Sequence, residues 1–168
     1  MKSILVIGAD SGLGQSACAE LGESFNLVTD SCTFGVSDAL RRGQLLDQMR
    51  RFGPFAAILI CLDVHVRREV TYAVDVLFDI ATLPWLALSV AHELNQSSEA
   101  PHYFVVSPTS PIHGLFDGRP AEQSLASSIV SMSVERLRAQ AAEYGGAQLH
   151  QCGGVDAAAL CVRTVLQS

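Results

Sequence analysis

Two kinds of apolar pattern alternate along the chain. Short apolar runs, Lys2 to Ile7, Phe55 to Leu62 and His102 to Ser107, suit buried strands, and Phe25 to Thr29 and the short Ala147 to Gln151 read as further strands. Between them lie stretches whose apolar residues recur every three or four positions, which predicts helices over Gln15 to Leu21, Ala39 to Phe52, Glu69 to Leu94, Glu122 to Tyr144 and Asp156 to Leu166. Leu40, Leu45, Leu46 and Met49 form the apolar stripe of one helix, and Leu125, Ile129, Met132 and Leu137 that of another. The stops agree with the pattern: Ser37-Asp38 can cap a helix, Gly53-Pro54 and Gly145-Gly146 end one, and Pro84 kinks the longest. Strand and helix in strict alternation predict an α/β fold, a doubly wound parallel sheet in three α/β/α layers, formed by residues 1–168 as a single domain.

The first strand stops at Gly8, and Gly8-Ala9-Asp10-Ser11-Gly12-Leu13-Gly14 leads directly into a helix. Glycines let a backbone turn tightly and approach a pyrophosphate, while the N–H groups and positive dipole end of the new helix face the anion. Gly8, Asp10, Ser11, Gly12, Leu13 and Gly14 are therefore the expected cofactor-binding residues. The second strand ends in an acid, Asp30, where an adenosine ribose would lie in a dinucleotide fold.

The glycine spacing GxxxGxG, with a strand before, a helix after and an acid ending the next strand, resembles the short-chain dehydrogenase/reductase superfamily. The resemblance implies a Rossmann fold and NAD(P) as cofactor. Asp30 implies a slight preference for NAD, because a carboxylate accepts from a ribose 2′-hydroxyl and repels a 2′-phosphate, and no Arg stands nearby to reverse this. Relative to the family pattern, Ile7 replaces a Thr, Gly35 stands where an adenine-contacting Asp is common, and the third strand is compressed into Ser31 to Val36. The chain is also shorter than full members, with Gly153-Gly154 leading into a last helix where they continue into a substrate-covering lobe.

The resemblance fails at the catalytic residues. Family enzymes reduce a carbonyl with a Tyr acid, a Lys four residues later, a carbonyl-orienting Ser and a supporting Asn. The family's YxxSK falls on Ser124-Leu125-Ala126-Ser127-Ser128, so that Tyr becomes Ser124 and Lys becomes Ser128. An aliphatic hydroxyl is a far weaker acid than a phenol, and no cation stands four residues on. The Asn-Asn-Ala-Gly segment corresponds to Ile60-Cys61-Leu62-Asp63, the supporting Asn to Asp75, and the Ser to either Ser107 or Ser110. Four hydroxyls, Ser107, Ser110, Ser124 and Ser128, are thus what remains of a catalytic set.

Other chemistries find less support. Ser107, His113 and Asp117 lack the G-x-S-x-G elbow of a hydrolase, and His65, His92, His102, His113 and His150 are scattered. Cys18, Cys32, Cys61, Cys152 and Cys161 include no CxxC and no His at ligand spacing, so reduced thiols and no metal are expected, with Cys61 a small core residue.

Charge narrows the partners. A net charge of −6 with 11 basic residues argues against nucleic acid, and the longest apolar stretch, Ile80 to Val90, is too short and too broken by Pro84 for a membrane span. Met1-Lys2-Ser3 runs straight into the first strand, so a cytoplasmic location is expected. The resemblance implies a homodimer, or pairing with a related reductase, through the helices Glu69 to Leu94 and Glu122 to Tyr144. Val70, Ala73, Val74, Leu77, Phe78, Ala81 and Trp85 make a stripe wide enough for such a contact, and Ala126, Ser127, Ser131 and Ala139 would let helices approach closely. Three functions compete: a non-catalytic, pseudoenzyme binding or partner subunit, which the lost Tyr and Lys favour; a divergent NAD(P)-dependent oxidoreductase acting on a small carbonyl or alcohol; and a structural scaffold with no nucleotide.

Overall fold

The computed structural model describes residues 1–30, 38–61, 102–107, 128, 131–132, 134–136, 138–140, 142–143 and 148–167. In chain order these form β1 (Ser3–Ile7), α1 (Gly12–Leu21), β2 (Asn26–Asp30), α2 (Asp38–Phe52), β3 (Ala57–Cys61), β4 (His102–Ser107), β5 (Gln148–Gly153) and α3 (Val155–Gln167), with further helical residues between 128 and 143. The strands make one sheet in the order β2-β1-β3-β4-β5, parallel at every pairing. This is the α/β doubly wound architecture that the sequence predicts.

The continuous apolar runs explain the layering. Ile4, Val6, Ala57, Leu59, Cys61, Phe104, Val106 and Cys152 pack with Ala17 and Leu21 of α1 and with Ala158, Ala159, Val162 and Leu166 of α3. The alternate positions, Leu5, Ile7, Ile58, Ile60, Tyr103 and Val105, are equally buried, so the sheet is covered on its other face too. β2 and β5, at the two ends of the strand order, mix exposed and half-buried positions. Polar contacts close the α1–α3 side: Lys2 Nζ donates to the Leu166 carbonyl at 2.6 Å, where a cation suits the carboxyl end of α3, and Arg163 donates to the Glu20 carbonyl at 2.5 Å.

Several boundaries move. The first helix begins at Gly12 rather than Gln15, with Ser11 as its cap. β3 begins at Ala57 rather than Phe55, although Phe55 is still buried. β5 runs to Gly153 rather than Gln151. Two stripe assignments also change. Leu40 is 58% exposed while Met49 is buried, and Met132 is 71% exposed while Val134 is buried. Positions 132 and 134 differ by about 200° around a helix, so the face turned to the core is the one bearing Val134. Leu45 and Leu46 side chains, the compressed strand Ser31 to Val36, the whole of Glu69 to Leu94 and the Pro108 to Pro120 loop lie outside the described residues.

Candidate functional site

The strand order reverses beside β1: the chain passes from β1 to β2 on one side and then to β3 on the other. In open α/β sheets the crevice beyond the carboxyl ends at such a reversal is where ligands bind. Here it is bounded by Gly8 after β1, Asp30 at the end of β2 and Cys61 at the end of β3.

Local chemistry builds the turn that crosses this edge. Gly8 has φ +77°, a left-handed conformation that side chains resist, and a Cβ on it would lie 2.8 Å from the Cys61 carbonyl oxygen. Ser11, almost fully buried, caps α1: its hydroxyl accepts from the Gly14 N–H at 3.0 Å and donates to the Gly8 carbonyl at 2.7 Å. The same carbonyl accepts from the Ser11 N–H at 3.1 Å. One oxygen atom therefore ties the turn's first residue to the helix's first turn. The consequence is a very close approach, since a Cβ on Gly14 would stand 2.0 Å from the Gly8 oxygen and 2.7 Å from the Ala9 Cα. Gly12, the first residue of α1, presents no side chain at the helix's positive end.

Asp30 joins the turn by main chain and side chain. Its carbonyl accepts from the N–H groups of Gly8 at 3.0 Å and Ala9 at 3.2 Å. The residue is 6% exposed, and its carboxylate Oδ1 accepts from Gln48 Nε2 of α2 at 3.2 Å. Gln48 was not legible as a site residue: in sequence it is one polar position on a helix, and only the folding of α2 over the end of β2 brings it to Asp30. Among the described residues its buried Oε1 has no hydrogen-bond partner.

No protein-family model and no curated protein matches the sequence. Solved structures match the fold. A small-chain dehydrogenase superposes with a TM-score of 0.68 at 14% identity, over 99% of this chain and 90% of that one. A metagenomic short-chain oxidoreductase in complex with NADP gives 0.66 at 12% identity, over 99% and 91%. The 3-alpha-hydroxysteroid dehydrogenase of Pseudomonas sp. B-0831, complexed with NADH, gives 0.60 at 13% identity, over 90% of this chain and 71% of that one. The fold is that of the short-chain dehydrogenases. Two of these chains are only slightly longer than the present one, so the dehydrogenase fold is spanned here nearly from end to end.

Within this dehydrogenase fold the four hydroxyls fare differently. Ser107 is the last residue of β4, paired in register with Gly153, and so lies at the same carboxyl edge of the sheet as the glycine turn. Ser128 is an exposed helical residue. Ser110 and Ser124 lie outside the described residues, as do Asp63, Asp75, His113 and Asp117. Arg138 pairs with Glu135 at 2.5 Å and reaches the Gln151 amide oxygen at 3.3 Å, so its charge is spent on the surface.

Two histidines that look scattered in the sequence meet in the structure. His102 and His150, on adjacent strands, lie with Nδ1 and Nε2 3.3 Å apart, and the His150 ring stacks on Phe104 at 4.7 Å. Both are held below the usual histidine range, first by burial, then by the Lys2 charge for His102 and by His102 itself for His150. His102 opens β4, so it lies at the opposite edge of the sheet from the glycine turn. Among the described residues no group of three or more His, Cys, Asp or Glu stands together as a metal site, and no helix is long and apolar enough to cross a membrane. Cys61 is buried, as expected of a core residue. Burial and the adjacent Cys161 push the Cys152 thiol up to about 12, which leaves it protonated and inert as a nucleophile.

Proposed function

We propose that this chain binds a nicotinamide dinucleotide at the Gly8–Gly14 turn, NAD in preference to NADP, and that it works as a binding or partner subunit rather than as a carbonyl reductase. The observation that carries the binding half is the contact between Gly14 and Gly8. A dinucleotide turn needs a glycine for the bend, one for approach of the pyrophosphate and one for close packing of the helix. Gly8, with its positive φ, meets the first need, Gly12 at the start of α1 the second, and Gly14 the third. The residues present fit the group. The main chain from Gly12 would hold the pyrophosphate, with Ser11 fixing the turn, and Asp30 would receive the adenosine ribose. A bound nicotinamide would supply hydride exchange.

The non-catalytic half rests on what stands at the catalytic positions. Ser124 and Ser128 replace the acid and the cation, and at neutral pH neither hydroxyl delivers a proton as a lowered-pKa phenol does. Thermal unfolding with NAD, NADH, NADP and NADPH tests the binding half, because a ligand of the folded state alone raises the melting temperature by mass action. Reduction of a broad carbonyl panel at ordinary reductase rates would overturn the non-catalytic half.

The proposal includes self-association, or pairing with a related reductase, on the helix that carries residues 128–143. Met132 is 71% exposed there, with Ser131 and Ala139 exposed as well, while Val134 is turned to the core. A large apolar side chain flanked by small ones suits a helix–helix contact. Light scattering at micromolar concentration, with Met132→Glu as the splitting variant, tests it.

A further inference from the structure

We propose that His102 and His150 hold a zinc ion near the amino edge of the sheet, through the two ring nitrogens that face each other across β4 and β5. The proposal does not depend on the dinucleotide reading. In the β4–β5 register His102 stands beside Gln148 and Phe104 beside His150, so the two histidines are diagonal neighbours on one face of the sheet. Both are half-buried, so an ion from solvent can reach them. The buried Phe104 holds the His150 ring, stacked at 4.7 Å and 16°, and the paired strands fix the backbone beneath both rings.

The separation of the facing nitrogens carries the proposal. His102 Nδ1 and His150 Nε2 lie 3.3 Å apart, beyond the roughly 2.7–3.2 Å of a good hydrogen bond from nitrogen. Two nitrogens bound to one tetrahedral zinc ion, each about 2.0–2.1 Å from it, stand about 3.3–3.4 Å apart. At the same bond length a right-angled pair, as in the tetragonal sites of Cu(II) and Ni(II), would stand only about 2.9 Å apart. The spacing therefore suits zinc. Near neutral pH an ordinary imidazole is mostly uncharged and carries one proton, and with that proton on His102 Nε2 and His150 Nδ1 both facing lone pairs are free. The Lys2 charge, which reaches His102, is offset where Nζ donates to the Leu166 carbonyl at 2.6 Å, at the negative end of α3. Among the described residues no third His, Cys, Asp or Glu joins the pair, so water completes the four ligands. An ion held this way pins β5, at the end of the strand order, to β4.

Calorimetric titration of zinc chloride into the metal-free wild type, His102→Gln and His150→Gln tests the proposal. The expected result is one zinc ion per wild-type chain, with binding at least about tenfold weaker in each variant. Cobalt(II) then reports the geometry, because a tetrahedral four-coordinate ion absorbs visible light far more strongly than a six-coordinate one. A strong visible band that both variants lose supports the site, and a weak six-coordinate spectrum overturns it. Zinc bound equally by all three proteins is held by thiols or by other histidines and overturns the proposal, as does a wild type that takes up no zinc. Should either variant not fold, the imidazole NMR signals of the wild type are followed during the zinc titration. Shifts confined to His102 and His150 among the five histidines support the site, and shifts at the other three alone overturn it.

Discussion

Gly14 packs so closely on Gly8 that a methyl group on Gly14 would lie 2.0 Å from the Gly8 carbonyl oxygen. The obstacle is backbone, which cannot rotate away as a side chain would, and the Ala9 Cα at 2.7 Å closes the other route. Gly14→Ala must therefore push α1 off the turn. The expected cost is about 3 kcal/mol or more in urea unfolding, at the upper end for an overpacked site, with any dinucleotide affinity lost at the same time.

The Ser11 hydroxyl accepts one bond and donates another inside the same turn. Ser11→Ala leaves the Gly14 N–H without its cap and the Gly8 carbonyl with one partner fewer. A loss of about 1–2 kcal/mol is expected from the missing cap. Ser11→Asp restores an acceptor for Gly14 but no donor for Gly8, so it should recover only part of that loss.

Gly43, inside α2, has nothing within 4 Å of where a Cβ would stand. Here the glycine serves no close approach, and its backbone freedom only favours the unfolded chain. Gly43→Ala should stabilise the protein by about 0.5–1 kcal/mol, seen as a higher urea midpoint at an unchanged slope.

The His102–His150 pair predicts a pH dependence of definite sign. Both groups sit below the usual histidine value in the folded protein, so between that folded value and the unfolded value near 6.5 the unfolded chain binds more protons. Stability from the pair is thus present above about pH 6.5 and lost as pH falls through the folded values. The urea midpoint should drop between pH 7.5 and pH 5.5, and His150→Gln should drop less over the same interval. Equal slopes for both proteins would show that the pair carries no such linkage.

The fold was legible because its central strands are nearly continuous apolar runs, as a doubly covered parallel sheet requires, and because Gly8, Gly12 and Gly14 mark one turn. Element ends were less so. Gly12 to Gly14 look too rich in glycine for a helix, yet the Ser11 cap starts α1 there. Met132 and Leu40 misled because the apolar stripe of a helix does not say which side meets the sheet, and Val134 carries that contact instead. Gln48 and the histidine pair were invisible for another reason. Each depends on how separate elements pack, helix α2 over the end of β2 for Gln48, 18 residues from Asp30, and β4 beside β5 for His102, 48 residues from His150. Periodicity within one element holds no information about such pairings.

Calorimetric titration of NAD into the wild type and into Gly12→Asp tests the central claim most directly. An acid at the first position of α1 suits the helix dipole, so the variant folds, but its carboxylate would occupy the place of the pyrophosphate. The account predicts saturable 1:1 binding of NAD, weaker binding of NADP, and no binding to Gly12→Asp. Equal NAD affinity in the two proteins, or no binding to the wild type at millimolar NAD, would contradict it.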